Sequence, residues 1–363
     1  ALITRYIPWQ SGKVFEMYDH DPRDENDVPF DLQTKDFYCI VDEDSLFHVY
    51  KCLDNNGGSA STVEPLYEYF SSADNYTFRT IDNYLWKYMT SVSYLDVKKF
   101  STEQYFPIFN DQTITENSIP GSLDVIKIRT AGKGYNNYTS GSFSSGDIRV
   151  NGTSTVYKIN SQQPDGFYND CIIYLTSGIG QGQFATIINY FTNGFGNFIQ
   201  IDKAFIVPPQ NATTYEIFPK VNIYSNGRQT VNALARALIN ANASNCVYRV
   251  EMLQIGENYE YATANVSANA IVGVSNTAVL KPIYSPTGGH GADAQKELYY
   301  SRVCVYNKFA NSESNTIPYS NKYDQIGLIR NPQFGNTQFS LTDPTGNFIF
   351  NEKIVKINPK KLT

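Results

Sequence analysis

Acid–base, metal or nucleophilic chemistry would fall to histidine, cysteine and carboxylate side chains, and in this chain they are few or scattered. The 363 residues contain three histidines, His20, His48 and His290, and five cysteines, Cys39, Cys52, Cys171, Cys246 and Cys304. No histidine stands at ligand spacing from another histidine or a cysteine, and there is no Cys-x-x-Cys pair, so the sequence spells out neither a zinc site nor a redox pair. An odd set of widely spaced cysteines reads as buried free thiols in a reducing compartment. The histidine with the most unusual neighbours is His290, within Gly288-Gly289-His290-Gly291-Ala292-Asp293. Flanking glycines would suit an exposed acid/base group or metal ligand. They also suit a close-packed structural loop whose glycines take backbone angles closed to other residues, and this reading is preferred for Gly288, Gly289, His290, Gly291 and Asp293.

Two other stretches invite a chemical reading. Gly178-Ile-Gly-Gln-Gly-Gln183 looks like a nucleotide loop, but it lacks the Lys-Ser/Thr of a P-loop, and its β-rich context offers no long helix to present an N-terminus to phosphate; a β turn is expected. The acidic run from Asp19 to Asp27 matches no calcium-loop spacing and is broken by Pro22, which predicts an exposed loop. Among 35 acidic residues, carboxylate pairs such as Asp42 with Asp44 carry little information about glycosidase chemistry. No catalytic, cofactor-binding or metal-binding residue is assigned, and no cofactor is expected.

The elements that would position these residues are mostly strands. Val125-Ile-Lys-Ile-Arg-Thr-Ala-Gly-Lys-Gly-Tyr135 and Arg249-Val-Glu-Met-Leu-Gln-Ile-Gly-Glu-Asn-Tyr259 repeat one pattern, 124 residues apart. Each is an alternating strand followed by a turn, with Gly132, Gly134 and Tyr135 in the first copy and Gly256 and Tyr259 in the second. Between the copies, four short strands at regular spacing predict a small antiparallel sandwich or barrel over 161–222, removable as an autonomous module by joining Ile159 to Ile223. Before the first copy, strands are predicted at 37–53, 80–90 and 104–109, with a short helix at 93–100. Residues 230–240 predict the best helix in the chain, with Thr230 as N-cap and Val231, Leu234 and Leu238 on one face. The expected fold is mainly β, with nested sandwich or barrel domains and few short helices. The outer domain takes 1–119 and 281–363, an inserted domain takes 120–160 and 223–280, and the small module sits within that.

Composition narrows the function classes. The chain has 28 Tyr and 22 Phe against 3 Met, which favours strands and aromatic sheet faces over long helices. A net charge of -6 without a Lys/Arg cluster gives no means of releasing counterions from a polyphosphate, so nucleic acid is not an expected partner. No apolar run approaches the roughly 20 residues that span a bilayer, so no membrane partner is expected either. Surface aromatics able to stack on sugar rings keep a glycan-binding or glycan-cleaving reading open.

The order of several segments resembles the baseplate wedge protein of T-even-like contractile-tailed bacteriophages, in the long form found in cyanophages. The resembling residues are Ser11-Gly-Lys-Val-Phe-Glu-Met-Tyr-Asp-His-Asp21, Val49-Tyr-Lys-Cys-Leu53 with Glu64-Pro65 downstream, and Asp82-Asn-Tyr-Leu-Trp-Lys-Tyr-Met89 with its strand Trp86, Lys87 and Tyr88. They continue through Tyr105-Phe-Pro-Ile108, the two repeat copies, Ser285-Pro-Thr-Gly-Gly-His-Gly-Ala-Asp293 and Gln325-Ile-Gly-Leu-Ile-Arg-Asn-Pro332. The resemblance implies a virion structural protein without enzymatic activity. It implies paired copies within each wedge, contacts with other wedge subunits and fibre-attachment proteins, and assembly in the host cytoplasm into the tail baseplate. It also implies a further N-terminal segment ahead of the Ser11 motif, and marks the block from about 160 to 222 as extra relative to short members.

Overall fold

A computed structural model of the chain describes residues 1–24, 26–70, 74–136, 140–144, 155–267, 271–304, 326–328 and 355–357. It is mainly β, with several antiparallel sheets and short helices, and no sheet closes into a barrel among the described residues. Two compact units account for it: Ala1–Ile119 with Pro286–Thr363, and Pro120–Ser285.

The first unit opens with β1 (Leu2–Arg5), β2 (Tyr38–Glu43), β3 (Leu46–Asp54), β4 (Thr77–Arg79), β5 (Leu85–Ser93) and β6 (Tyr105–Ile108). Four of these form an antiparallel sheet in the order β2-β3-β5-β4. β2 and β3 join through Asp44 and Ser45, both at positive φ, where short polar side chains are tolerated best. Alternation fails in β3: every residue from Phe47 to Leu53 is buried, so both faces of the strand are covered. Its polar members, His48 and Lys51, must therefore find partners inside the protein. A tight turn occupies Thr80 to Asn83, so β5 starts at Leu85 and not at the expected residue 80. The expected short helix is present at Tyr94–Phe100, where the Ser93 hydroxyl caps it by accepting from Asp96 N–H.

The second unit contains β7 (Val125–Thr130), β8 (Lys133–Tyr135), β9 (Ser140–Ser142), β10 (Val156–Ile159), β11 (Cys171–Ser177), β12 (Phe184–Asn193) and β13 (Gly196–Ile201). It continues with β14 (Thr214–Ser225), β15 (Leu234–Asn240), β16 (Cys246–Gln254), β17 (Ala262–Val266), β18 (Ile271–Asn276) and β19 (Val279–Ile283). One large sheet runs β10-β13-β12-β11-β14-β17-β19-β7, with β9 and β15 also on β14 and β16 on β15. The twelve-residue β14 serves both ends: its first half pairs with β9 and β11, its second half with β15 and β17. One core is built from 143–217, including Phe143, Tyr157, Ile159, Tyr190, Tyr215 and Ile217. A second is built from Ile126, Tyr135, Val221, Ala235, Ala237, Val247, Val250, Val266 and Leu280. The first core thus begins well before residue 161 and stops short of 222, which shifts the limits expected for the small module.

The helix expected at 230–240 is absent. Those residues supply β15, which pairs with β16 over seven positions and buries Ala235 and Ala237 completely. The Ala, Leu and Arg that favour a helix locally lose to a ladder and a core that only the extended chain can reach. Val231, assigned to the apolar helix face, is 37% exposed. The chain then returns to the first unit, where β20 (Arg302–Val303) adds to β1 in a three-stranded sheet β20-β1-β6, and β21 (Ile326–Leu328) pairs with β22 (Val355–Ile357).

Candidate functional site: a buried lysine, histidine and glutamate

Among the described residues, a lysine, a histidine and a glutamate converge out of contact with solvent in the first unit. Lys51 points from the doubly covered strand β3 and is 0% exposed. Its Nζ donates to Glu297 Oε2 at 2.7 Å and to His290 Nδ1 at 3.1 Å, and sits 3.9 Å from the centre of the Tyr18 ring. An ammonium has only protons to give, so Nδ1 of His290 is the acceptor in that contact. Tyr18 packs edge-on against the His290 ring, with centroids 4.9 Å apart. The other carboxylate oxygen of Glu297 accepts from Gly291 N–H at 2.7 Å and, more loosely, from Asp293 N–H. Burial opposes ionisation of Glu297, yet the Lys51 ammonium beside it helps bring its carboxyl down to about 2. The Tyr18 phenol is pushed well up, first by burial and then by the Glu297 carboxylate.

The loop carrying His290 is shaped to reach this spot. Gly288, Gly289 and Gly291 all take φ near +90°, and a Cβ on Gly289 would lie 2.6 Å from the backbone of Ile119. Asp293 caps the helical turn Ala294–Glu297 by accepting from Lys296 N–H, which aims Glu297 back at Lys51. The His290 ring is 3% exposed, so the loop offers no open acid/base group. Trp86 and Lys87 of β5 are completely buried, and Tyr88 nearly so. Trp86 lies between Phe15, edge-on, and Tyr84, stacked. Lys87 is the cross-strand partner of Lys51; its Nζ donates to the backbone and side-chain oxygens of Asn75, held there by left-handed backbone at Asn75 and Tyr76. Tyr88 shares a hydrogen with Ser91, and burial pushes its phenol up to about 12.

His48 is also buried, 2.7 Å from Ser91 Oγ, and burial lowers its affinity for a proton. In the described part of the acidic run, which leaves out Glu25, Asp19 departs from the expected exposure at 4%, whereas Asp24 forms an exposed turn by accepting from Asn26 and Val28 N–H. The glycines at 178, 180 and 182 turn the chain between β11 and β12, all at positive φ. Glu297 escaped sequence reasoning, because nothing local marks a residue 246 positions from its partner.

The repeat turns adopt one geometry twice. Gly132 and Gly256 have φ of +65° and +68°, and a Cβ on either would strike the ring of the tyrosine three residues on, at 2.8 and 2.5 Å. Gly134 and its counterpart Asn258 are also left-handed. The Tyr135 hydroxyl accepts from Ala278 N–H at 2.6 Å, and that of Tyr259 from Ala233 N–H at 2.7 Å.

A cavity of about 540 Å³ in the first unit is lined by Arg5, Tyr38, Tyr105, Tyr299 and Arg302 among others, with none of the expected site residues. Arg302 stacks on Tyr105 at 4.2 Å. No known family, no curated protein and no solved structure matches the chain.

Proposed function

We propose that the chain is a structural subunit of a bacteriophage contractile-tail baseplate wedge, working through subunit interfaces and without catalysis. The resemblance of its ordered motifs supports this reading, and one observation carries it. Tyr18, Lys51, Lys87 and His290 come from four separate motif segments, and all serve the buried core of the first unit. Polar side chains that satisfy one another out of contact with solvent fix one arrangement of strands and are not presented to a substrate. In this reading the chain forms a homodimer within a wedge, contacts other wedge subunits, and resides in the tail baseplate of the virion after assembly in the host cytoplasm. Purified particles should contain the protein in fixed stoichiometry, and a phage lacking it should make no infectious tails. Its absence from virions would sink the proposal.

A glycan-binding or glycan-cleaving tail component is the second reading, favoured by the arginine- and tyrosine-lined cavity of the first unit. Glycan-array binding lost in Tyr105→Ala, together with normal tails on deletion, would select it.

A further inference from the structure

The hydrogen bonds around the two repeat copies change places when 124 is added to residue numbers in the first copy or subtracted in the second. Leu123 N–H donates to Ile255 O at 2.9 Å, and its image, Val247 N–H to Ala131 O, measures 3.0 Å. Tyr259 N–H donates to Gly121 O at 3.1 Å, and Tyr135 N–H to Asn245 O at 3.0 Å. Asn258 N–H donates to Pro120 O at 2.8 Å, and Gly134 N–H to Ser244 O at 3.0 Å. The neighbouring strands obey the same exchange. β19 meets β7 as Val279↔Thr130, Leu280↔Ile128 and Lys281↔Lys127; β15 meets β16 as Leu234↔Gln254, Ala235↔Met252 and Arg236↔Glu251, with the register shift at the same step. In the centre, Val221 pairs with Ala235 as Ala264 pairs with Leu280. The β14–β17 ladder maps onto itself about the Asn222–Asn265 pair.

We infer that Pro120–Ser285 is an internally duplicated unit: two copies of one three-stranded motif, each covering its apolar face with the other, about a pseudo-twofold axis through the Asn222–Asn265 pair. One copy is the second half of β14 with β15 and β16; the other is β17 with β19 and β7. The partner surface of each copy is thus a second copy of itself. The second motif is split in the chain, its last strand coming first. Its two ends meet where Ser285 N–H donates to Ser122 O and Ser122 N–H to Ser285 Oγ.

The symmetry also locates the insertion. Tyr259 reaches Ala262 through two residues, Glu260 and Tyr261. The image of Ala262 is Pro219, so the equivalent link from Tyr135 to Pro219 has been replaced by 136–218. The cores support this independently: every residue of the core containing Tyr190 lies between 143 and 217, and none of the core containing Val221 does. Residues 136–218 are therefore a passenger on a scaffold that is complete without them.

The test uses the full-length chain with 136–218 replaced by the dipeptide Glu-Tyr, read by amide hydrogen exchange. Leu123, Tyr135, Val247 and Tyr259 should keep protection within about tenfold of the parent chain. Removing 160–222 instead, by joining Ile159 to Ile223, takes Lys220 and Val221 from the centre of the scaffold and should abolish that protection. Exchange at unfolded rates in the first chain, or equal protection in both, overturns the insertion. In the intact chain, Tyr135→Phe and Tyr259→Phe should raise exchange at Ala278 and Ala233 by similar factors; a difference above tenfold overturns the equivalence of the copies.

Discussion

The two units hold their strands together by opposite means. In the first, segments more than 200 residues apart meet through ionised groups removed from water: Lys51 and Glu297 have side chains 0% and 5% exposed. In the second, partners lie near in sequence or repeat one another, the cores are apolar, and the ion pairs keep partial contact with solvent, as for Arg236 with Glu251 at 12% and 23%. A buried pair adds little net stability over a well-packed apolar pair, but losing one member leaves an unpaired charge in the interior. The first unit should therefore fail sharply at single positions, and the second should fail in matched pairs.

The largest effect should come from Lys51→Met, which leaves Glu297 buried without its cation. We expect a loss of about 3–5 kcal/mol in denaturant unfolding of the first unit, mostly restored by adding Glu297→Leu. An undiminished single variant would break the contrast. Acid should act through the same pair. Glu297 is held at about 2, so its contribution is complete above the ordinary glutamate value and is lost as pH falls through about 2. This amounts to on the order of 3 kcal/mol, fading from roughly pH 4.5 downward, and unfolding followed against pH should show a shallower slope in Glu297→Gln.

Gly289→Val sets a β-branched side chain against the Ile119 backbone at φ +99° and should cost about 3 kcal/mol, somewhat more than His290→Ala. The histidine change itself should exceed the 1 kcal/mol typical of a partly exposed ring, because the ring is buried. In the second unit, Gly132→Ala and Gly256→Ala should each cost about 2 kcal/mol by calorimetry, within about 0.5 kcal/mol of each other. The smallest effect, about 1 kcal/mol each, is expected for Tyr135→Phe and Tyr259→Phe, which strand the amides of Ala278 and Ala233. Unequal costs within either pair would show that the copies have diverged energetically.

Much of the strand content was legible because alternation and turn residues are local. The Gly-x-x-Tyr copies announced themselves through residues whose backbone angles and ring contact the turn requires. The helix misread at 230–240 shows the limit: Ala-Leu-Ala-Arg-Ala-Leu has helical preferences, and only the β16 ladder overrides them. The His290 loop was recognisable from its glycines as a packing element, while the carboxylate and lysine that hold it were not, since no periodicity links residue 51 to residue 297. The pseudo-twofold relation was half visible, because strands offset by 43 and 45 positions share pairing geometry with little identity.

The separation between Lys51 and its partners has a consequence for the order of synthesis. His290 leaves the ribosome 239 residues after Lys51 and Glu297 246 residues after it, a delay of about 10–50 s at ordinary elongation rates. The whole of Pro120–Ser285 emerges in that interval with both of its motif copies in hand. The inserted unit can thus close first, while the earlier strands carry an ammonium whose carboxylate has not yet been made. Of the two units, the one begun first is completed second, and its buried pair can close only once Glu297 has been made.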